Sequence, residues 1–454
     1  MVRKTIPLST QYNKRGDNAN DALVNMYAAP APEGRSGLDI FGISGTREFS
    51  DLATYPGRGT IRMGGLVYAI TGQSAYKVSS NGAKTALGTI PGTGPVRMAQ
   101  NGTQIACVNG AGDCYIITAS SVTQITDPDY LPASDVAWLD GYLIFTRKDS
   151  GEFFYSGVQA PTEFDSLDFA TAEGAPDNNV GIIVDKREAL IAGTETIEVW
   201  QNTGAPFGRV GGAFIERGVK SRDSMKKLDN SVFFLGDDLA VYRLNGYTPQ
   251  EISTDVISGL IEQSNAPENA IGDVWRENGQ LFYSLTLDNF TGIYNLRTGR
   301  WSVAKSYGFK NWRRRFVIRA FNRNLCLDAK NGKLYEMDRN CFREEDQPFI
   351  AEMDFPYVHA EDRFVFVDKF RMMMETGVGN VSQANPVLMI SLSKDGGRTF
   401  GNERQLNVGQ VGQHRKRVYA NRFGRMQSGL FRVSISDPVK RQFWGAVLEA
   451  DIGD

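Results

Sequence analysis

The sequence predicts an all-β protein, a β-propeller of about seven irregular blades followed by a C-terminal β-sandwich-like domain. Three observations carry this. Short apolar runs suited to strands recur along the chain. A strand-pair unit returns roughly every 43 residues through the middle of it, a blade-like period. Almost no stretch has the spacing of a long amphipathic helix; "DSMKKLDN" and "VISGLIEQSN" offer a turn or two at most.

Each repeat is an apolar run, a Gly/Asn/Asp turn and a second run centred on an aromatic. The second runs are SAYKV, DCYII, EFFYS, IEVWQ, LAVYR, GIYNL and KLYEM, centred on Tyr76, Tyr115, Tyr155, Trp200, Tyr242, Tyr294 and Tyr335. The runs before them, LVYAI, TQIACV, YLIFT, EALIAG, SVFFLG, QLFYSL and NLCLD, are rich in β-branched or aromatic residues. One such sheet cannot bury both of its faces, but a closed ring of sheets buries each against its neighbours and leaves only short edges. In "IYNLRTGRWSV", Thr298-Gly299 supplies a turn and Trp301 is placed to pack between blades. The competing architecture is a β-sandwich with hairpins at similar spacing.

The repeat occupies residues 61–343. Residues 1–60 read as an N-terminal arm and a ring-closing strand, with Pro30, Pro32 and Gly34 interrupting them. "FREEDQPF" reads as a linker, and residues 344–454 as a separate β-domain built on "RFVFVDKFRMMME", "PVLMISLS", "LFRVSISD" and "FWGAVLEADI".

At 454 residues the chain is long enough for two or three cores, and a net charge of −2 gives no global attraction to nucleic acid or anionic membrane. No apolar run reaches membrane-spanning length, and the charged N-terminus is no secretory signal. The four cysteines, Cys107, Cys114, Cys326 and Cys341, lack metal-binding spacing and suit a reducing cytoplasm. Only two histidines, His359 and His414, are available to a Ser-His-Asp or Cys-His centre.

"SLSKDGGRTF" contains an Asp-box, formed by Ser393, Asp395, Gly396, Gly397 and Phe400. Sialidases carry such boxes, which raises a carbohydrate-active or carbohydrate-binding propeller as the alternative function. The residues themselves describe a turn: Asp395 accepts backbone N–H groups, the glycines tolerate positive φ, and Phe400 tucks under the hairpin. The R-I-P segment of sialidases is missing, and the single box lies outside the repeat. Acidic pairs such as Asp237-Asp238 and Glu344-Glu345 fall in turns or linkers. The glycine-rich "PGTGP" and "GRVGGAF" lack the Lys-Ser/Thr ending of a phosphate loop.

Two basic segments interleave cations with aromatics and contain no acid. Residues 304–323 hold Arg313, Arg314, Arg315 and Arg319; residues 413–432 hold Arg415, Lys416, Arg417, Arg422 and Arg425. Such segments contact acidic protein surfaces or phosphate backbones, or else lie on solvated faces and pair within the chain.

In order and in motif, the chain resembles the packaged-DNA stabilisation, or tail hub (nozzle), proteins of short-tailed bacteriophages. The resemblance runs from "LVNMYAAPAPEGRSGLDIFGISGTREF", where Ile43-Ser44-Gly45 stands for the family's more usual Thr-Pro-Gly, to the C-terminus. It is most specific in the box-bearing hairpin, the Arg422–Arg425 segment and Phe431–Pro438. It implies a non-enzymatic, cofactor-free virion protein assembled in the host cytoplasm without membrane insertion. It also implies a homohexameric ring below a portal-attached adaptor ring, which extends the channel for packaged double-stranded DNA, helps retain that DNA and carries tail spikes or fibres. On that reading Arg415, Lys416, Arg417, Arg422 and Arg425 face a neighbouring subunit or the adaptor.

Overall fold

Tight turns between apolar runs generate the architecture. The computed structural model describes residues 2–6, 13–15, 19–21, 23–31, 37–172, 174–204, 207–361 and 363–453. Among the described residues, seven four-stranded antiparallel units follow one another. Blade 1 runs from Gly57–Met63 to Lys84–Thr89, blade 2 from Arg97–Gln100 to Val122–Gln124, and blade 3 from Ala133–Leu139 to Phe169–Thr171. Blade 4 runs from Asn179–Asp185 to Phe207–Ile215, blade 5 from Lys226–Leu228 to Thr248–Glu251, and blade 6 from Ile271–Glu277 to Arg300–Ala304. Blade 7 takes Arg314–Ala320, Arg323–Asp328 and Lys333–Asp338 from its own stretch and its fourth strand, Gly45–Asp51, from near the N-terminus. This borrowed strand pairs Arg47 with Glu336 and Thr46 with Met337, and it closes the ring.

The apolar runs and aromatics of the repeat are the second and third strands of each blade. Their side chains alternate between two joints: Val232 and Phe234 enter the core between blades 4 and 5, while Phe233 and Leu235 enter that between blades 5 and 6. Seven such cores complete the circle, the last joining Leu325, Leu327 and Leu334 of blade 7 to Val67, Ala69 and Val78 of blade 1. Trp301 is 1% exposed in the core between blades 5 and 6, and its Nε1 donates to the Ile252 carbonyl at 2.7 Å. In six blades both residues of the turn between the first two strands have positive φ, as type I′ hairpins require; Asn278-Gly279 fits that geometry, whereas Lys186-Arg187 adopts it without a glycine. "VISGLIEQSN" contributes the helix Asp255–Glu262, and "DSMKKLDN" a 3₁₀ turn, Arg222–Ser224, followed by the strand Lys226–Leu228.

Beyond the ring the chain forms two packed sheets. One continues outward from the last strand of blade 6, in the order Arg300–Ala304, Leu23–Val24, Ala351–Asp354, Ser428–Ile435, Val387–Ser393, Arg404–Asn407. The other has the order Val418–Met426, Phe364–Met374, Gln442–Gly453, Leu38–Gly42, Met26–Pro30, with Val2–Ile6 also paired to Gln442–Gly453. Phe355, Phe370, Leu388, Ile390, Phe431 and Phe443 fill the space between them, as in a sandwich. Several N-terminal strands therefore lie in this sandwich, while Gly45–Asp51 lies in the propeller. Within "FREEDQPF", Arg343–Glu344 and Gln347–Pro348 form a short hairpin attached to blade 7.

Candidate functional site

The Asp-box closes the hairpin from Val387–Ser393 to Arg404–Asn407. Ser393 is fully buried, and its Oγ donates to Asp395 Oδ1 at 2.7 Å and accepts from Gly397 N at 2.8 Å. Asp395 Oδ1 accepts from Arg398 N at 3.1 Å, and Oδ2 accepts from Thr399 N at 3.0 Å and from Thr399 Oγ1 at 2.5 Å. Led by the bonds from Ser393 and Thr399, this cage holds the Asp395 carboxyl far below the ordinary aspartate range. Gly396 and Gly397 have φ of +80° and +88°. Phe400 lies under the Arg432 guanidinium, 4.0 Å from its ring centre, and Arg432 grips Asp354 at 2.7 and 2.9 Å. Every acceptor of Asp395 is satisfied locally, which leaves a turn with no spare carboxylate for acid–base chemistry.

The first basic segment is divided: Arg313, Arg314 and Arg315 turn inward, whereas Lys305, Lys310, Arg319 and Arg323 are exposed. Arg314 is 4% exposed, stacks 4.1 Å from the Trp312 ring and donates to Glu344 Oε1 at 3.1 Å. Arg315 donates to the carbonyls of Trp312 and Arg314, and burial pulls its guanidinium down to about 10. Arg313 pairs with Asp328 at 2.8 Å. Unlike those three, Arg319 is exposed: Asn322 and Asn324 orient it over a cleft of about 580 Å³ that it shares with Arg276, Arg323 and Arg339. Arg313, Arg314 and Arg315 therefore serve blade 7 through partners in their own chain, because a buried guanidinium must be paired where it sits.

The second segment lies outside. Arg415, Lys416 and Arg417 are exposed in the turn leading to Val418–Met426, and their side chains make no hydrogen bond or ion pair with a described residue. Arg422 and Arg425 are exposed on that strand, with Arg425 4.2 Å from the centre of the Phe364 ring. Arg404 donates to the carbonyls of Asn421 and Arg422, and Lys394 to that of Arg425 at 2.8 Å. Arg404 and Lys394 are thus held by backbone dipoles, and no described acid forms an ion pair with either. The hairpin and the strand flank an open cleft of about 550 Å³ lined by Lys394, Phe400, Arg404 and Phe423.

A third cluster lies at the propeller axis. Arg97 of blade 2 meets Asp223 at 2.9 Å, and Asp135 of blade 3 meets Arg222. Both partners come from the 3₁₀ turn between blades 4 and 5, so these pairs cross the axis. Asp135 also accepts Ile182 N at 2.7 Å, and Asp273 of blade 6 accepts Phe316 N and Val317 N of blade 7 at 3.0 and 2.7 Å. Ion pairs between residues so distant in sequence leave no local motif, and the sequence reading missed them. Among the described residues no three His, Cys, Asp or Glu side chains are placed to hold a metal ion, and no helix is long and apolar enough to cross a membrane.

Comparison with solved structures finds resemblances of low identity. The computationally designed Ika8 protein matches at 11% identity and a TM-score of 0.41, covering 72% of this chain and 99% of its own. BamB from Moraxella catarrhalis matches at 13% and 0.40, covering 74% and 97%. The Myceliophteria thermophila Cps50 (Swd1) β-propeller domain matches at 8% and 0.42, covering 65% and 98%. No curated protein matches. Two family models match in sequence: "Bacteriophage P22 Gp10, beta-propeller" over residues 4–342 and "Bacteriophage P22 Gp10, beta-sandwich" over residues 351–451. With both parts matched in the order in which the chain folds them, this protein belongs to the bacteriophage P22 Gp10 family of DNA-stabilisation and tail hub proteins.

Proposed function

We propose that the chain is a ring-forming, non-enzymatic component of a short phage tail. Six copies sit below the portal adaptor, lengthen the DNA channel, help retain the packaged genome and present an outer surface to spikes or fibres. The observation that carries this reading is the family match across both domains, which supports a structural role in the phage tail. The ion pairs across the propeller axis add a constraint. With Arg97 and Asp223 meeting at 2.9 Å, a DNA duplex cannot thread a single propeller, so the conduit runs along the axis shared by the subunits.

The test is a nonsense mutation of this chain in the phage that encodes it. Heads are expected to package DNA and then lose it, leaving a genome open to added nuclease and particles without the distal tail. Complete tails holding nuclease-resistant DNA would overturn the proposal.

A further inference from the structure

The near-neutral net charge hides two opposed poles. Residues 98–185 contain thirteen acids and two bases, whereas residues 386–432 contain nine bases and two acids. The fold sends these stretches to opposite ends. The basic stretch supplies Arg404–Asn407 and Val418–Met426, the outer edges of the two sandwich sheets and the strands farthest from the propeller. The sandwich grows out of blade 6. In a closed ring of seven, the joint between blades 2 and 3 is diametrically opposite blade 6, and there the acidic stretch is exposed.

Asp129 of the blade 2–3 connection and Glu163 and Asp165 of the loop at residues 156–168 are all exposed. Phe164 holds the two segments together, its N donating to Asp127 at 3.4 Å and its ring lying 5.3 Å from that of Tyr130. Apolar anchors stand among the charges: Leu167 is 80% exposed and Phe169 48%. At the other pole Val411 is 73% exposed and Tyr419 45%, beside Arg415, Lys416 and Arg417. Of the two acids there, Asp395 is bound into its own hairpin.

From this geometry we infer that the two poles are the halves of one head-to-tail contact: the basic sandwich edge of one copy docks on the acidic blade 2–3 edge of the next. The occupant is a second copy because the same chain carries both complementary surfaces at its opposite ends. Such a contact is heterologous and propagates until the ring closes. Apolar residues ringed by opposite charges match the make-up of a specific interface, and like charges brought together there cost several kcal/mol. The inference rests on the ring reading above and specifies which faces build the ring.

Two charge-reversed chains test it by sedimentation mass across a concentration series. One carries R415E/K416E/R417E, the other D129K/E163K; all five side chains are exposed and make no hydrogen bond or ion pair with a described residue, so melting curves should match the wild type. Each variant alone is expected to associate at least about tenfold more weakly than wild type. Mixed in equal amounts they should assemble again, since every contact then pairs opposite charges. Wild-type assembly by either variant alone, or failure of the mixture to recover, overturns this contact and leaves the ring standing. A wild-type chain that stays monomeric throughout overturns the ring reading, and this inference with it.

Discussion

Asp395 accepts four groups of its own hairpin, so the turn is folded around a negative charge. D395A is therefore expected to speed amide exchange at Gly397, Arg398 and Thr399 while strands remote from the hairpin exchange as before. Unchanged exchange at those amides would show that the glycines alone hold the turn. The folded carboxyl is more acidic than its unfolded value of 3.8, so its contribution is complete above pH 3.8 and disappears only as the pH falls well below it. Arg314 is a different case, 4% exposed between Trp312 and Glu344. Truncation by R314A leaves the Glu344 carboxylate without its cation, and chemical denaturation should register a loss of about 3 kcal/mol. The sequence presented "NWRRRF" as a basic patch because composition does not distinguish an inward guanidinium from an outward one.

At the scale of elements, the joints near the propeller axis depend on close approach. Gly181, in the first strand of blade 4, lies against the Arg222 side chain, and a Cβ there would collide with Arg222 Cδ. G181A is expected to dislodge the Arg222–Asp135 pair and lower stability by about 2 kcal/mol, read from the denaturant midpoint. The closing strand allows a second test. Without Gly45–Asp51, blade 7 keeps only three strands and the core holding Leu52, Leu325 and Leu334 opens to water. Deleting residues 45–51 should produce a chain that binds hydrophobic dyes and loses its cooperative melt; a native-like melt would mean that the ring closes without the strand. Strands two and three of each blade were legible because their runs are apolar on both faces. The first and fourth strands were not: Lys84–Thr89 is largely exposed and carries little apolar pattern.

For the whole molecule, the ring reading predicts a light-scattering mass near six times 50.2 kDa at concentrations where assembly is complete. Because the inferred contact relies on exposed charges, that mass should fall towards the monomer's as salt is raised. A mass insensitive to salt would point to an interface dominated by apolar burial instead. The charge asymmetry behind this expectation was countable in the sequence, with residues 98–185 acidic and residues 386–432 basic. Its meaning depended on where the fold puts the two stretches.

Short-range physics was readable from residues alone. Alternation of apolar runs and turns implied strands, their period implied blades, and the spacing within "SLSKDGGRTF" implied a hairpin, because each of these is set by neighbours a few positions apart. Other features required the chain to be folded. Gly45–Asp51 closes blade 7 across almost three hundred residues, Asp223 reaches Arg97 across the propeller axis, and Arg314 turns inward while Arg415 faces solvent. Such pairings arise from ring closure and from the burial it imposes, and neither leaves a mark at any single place along the chain.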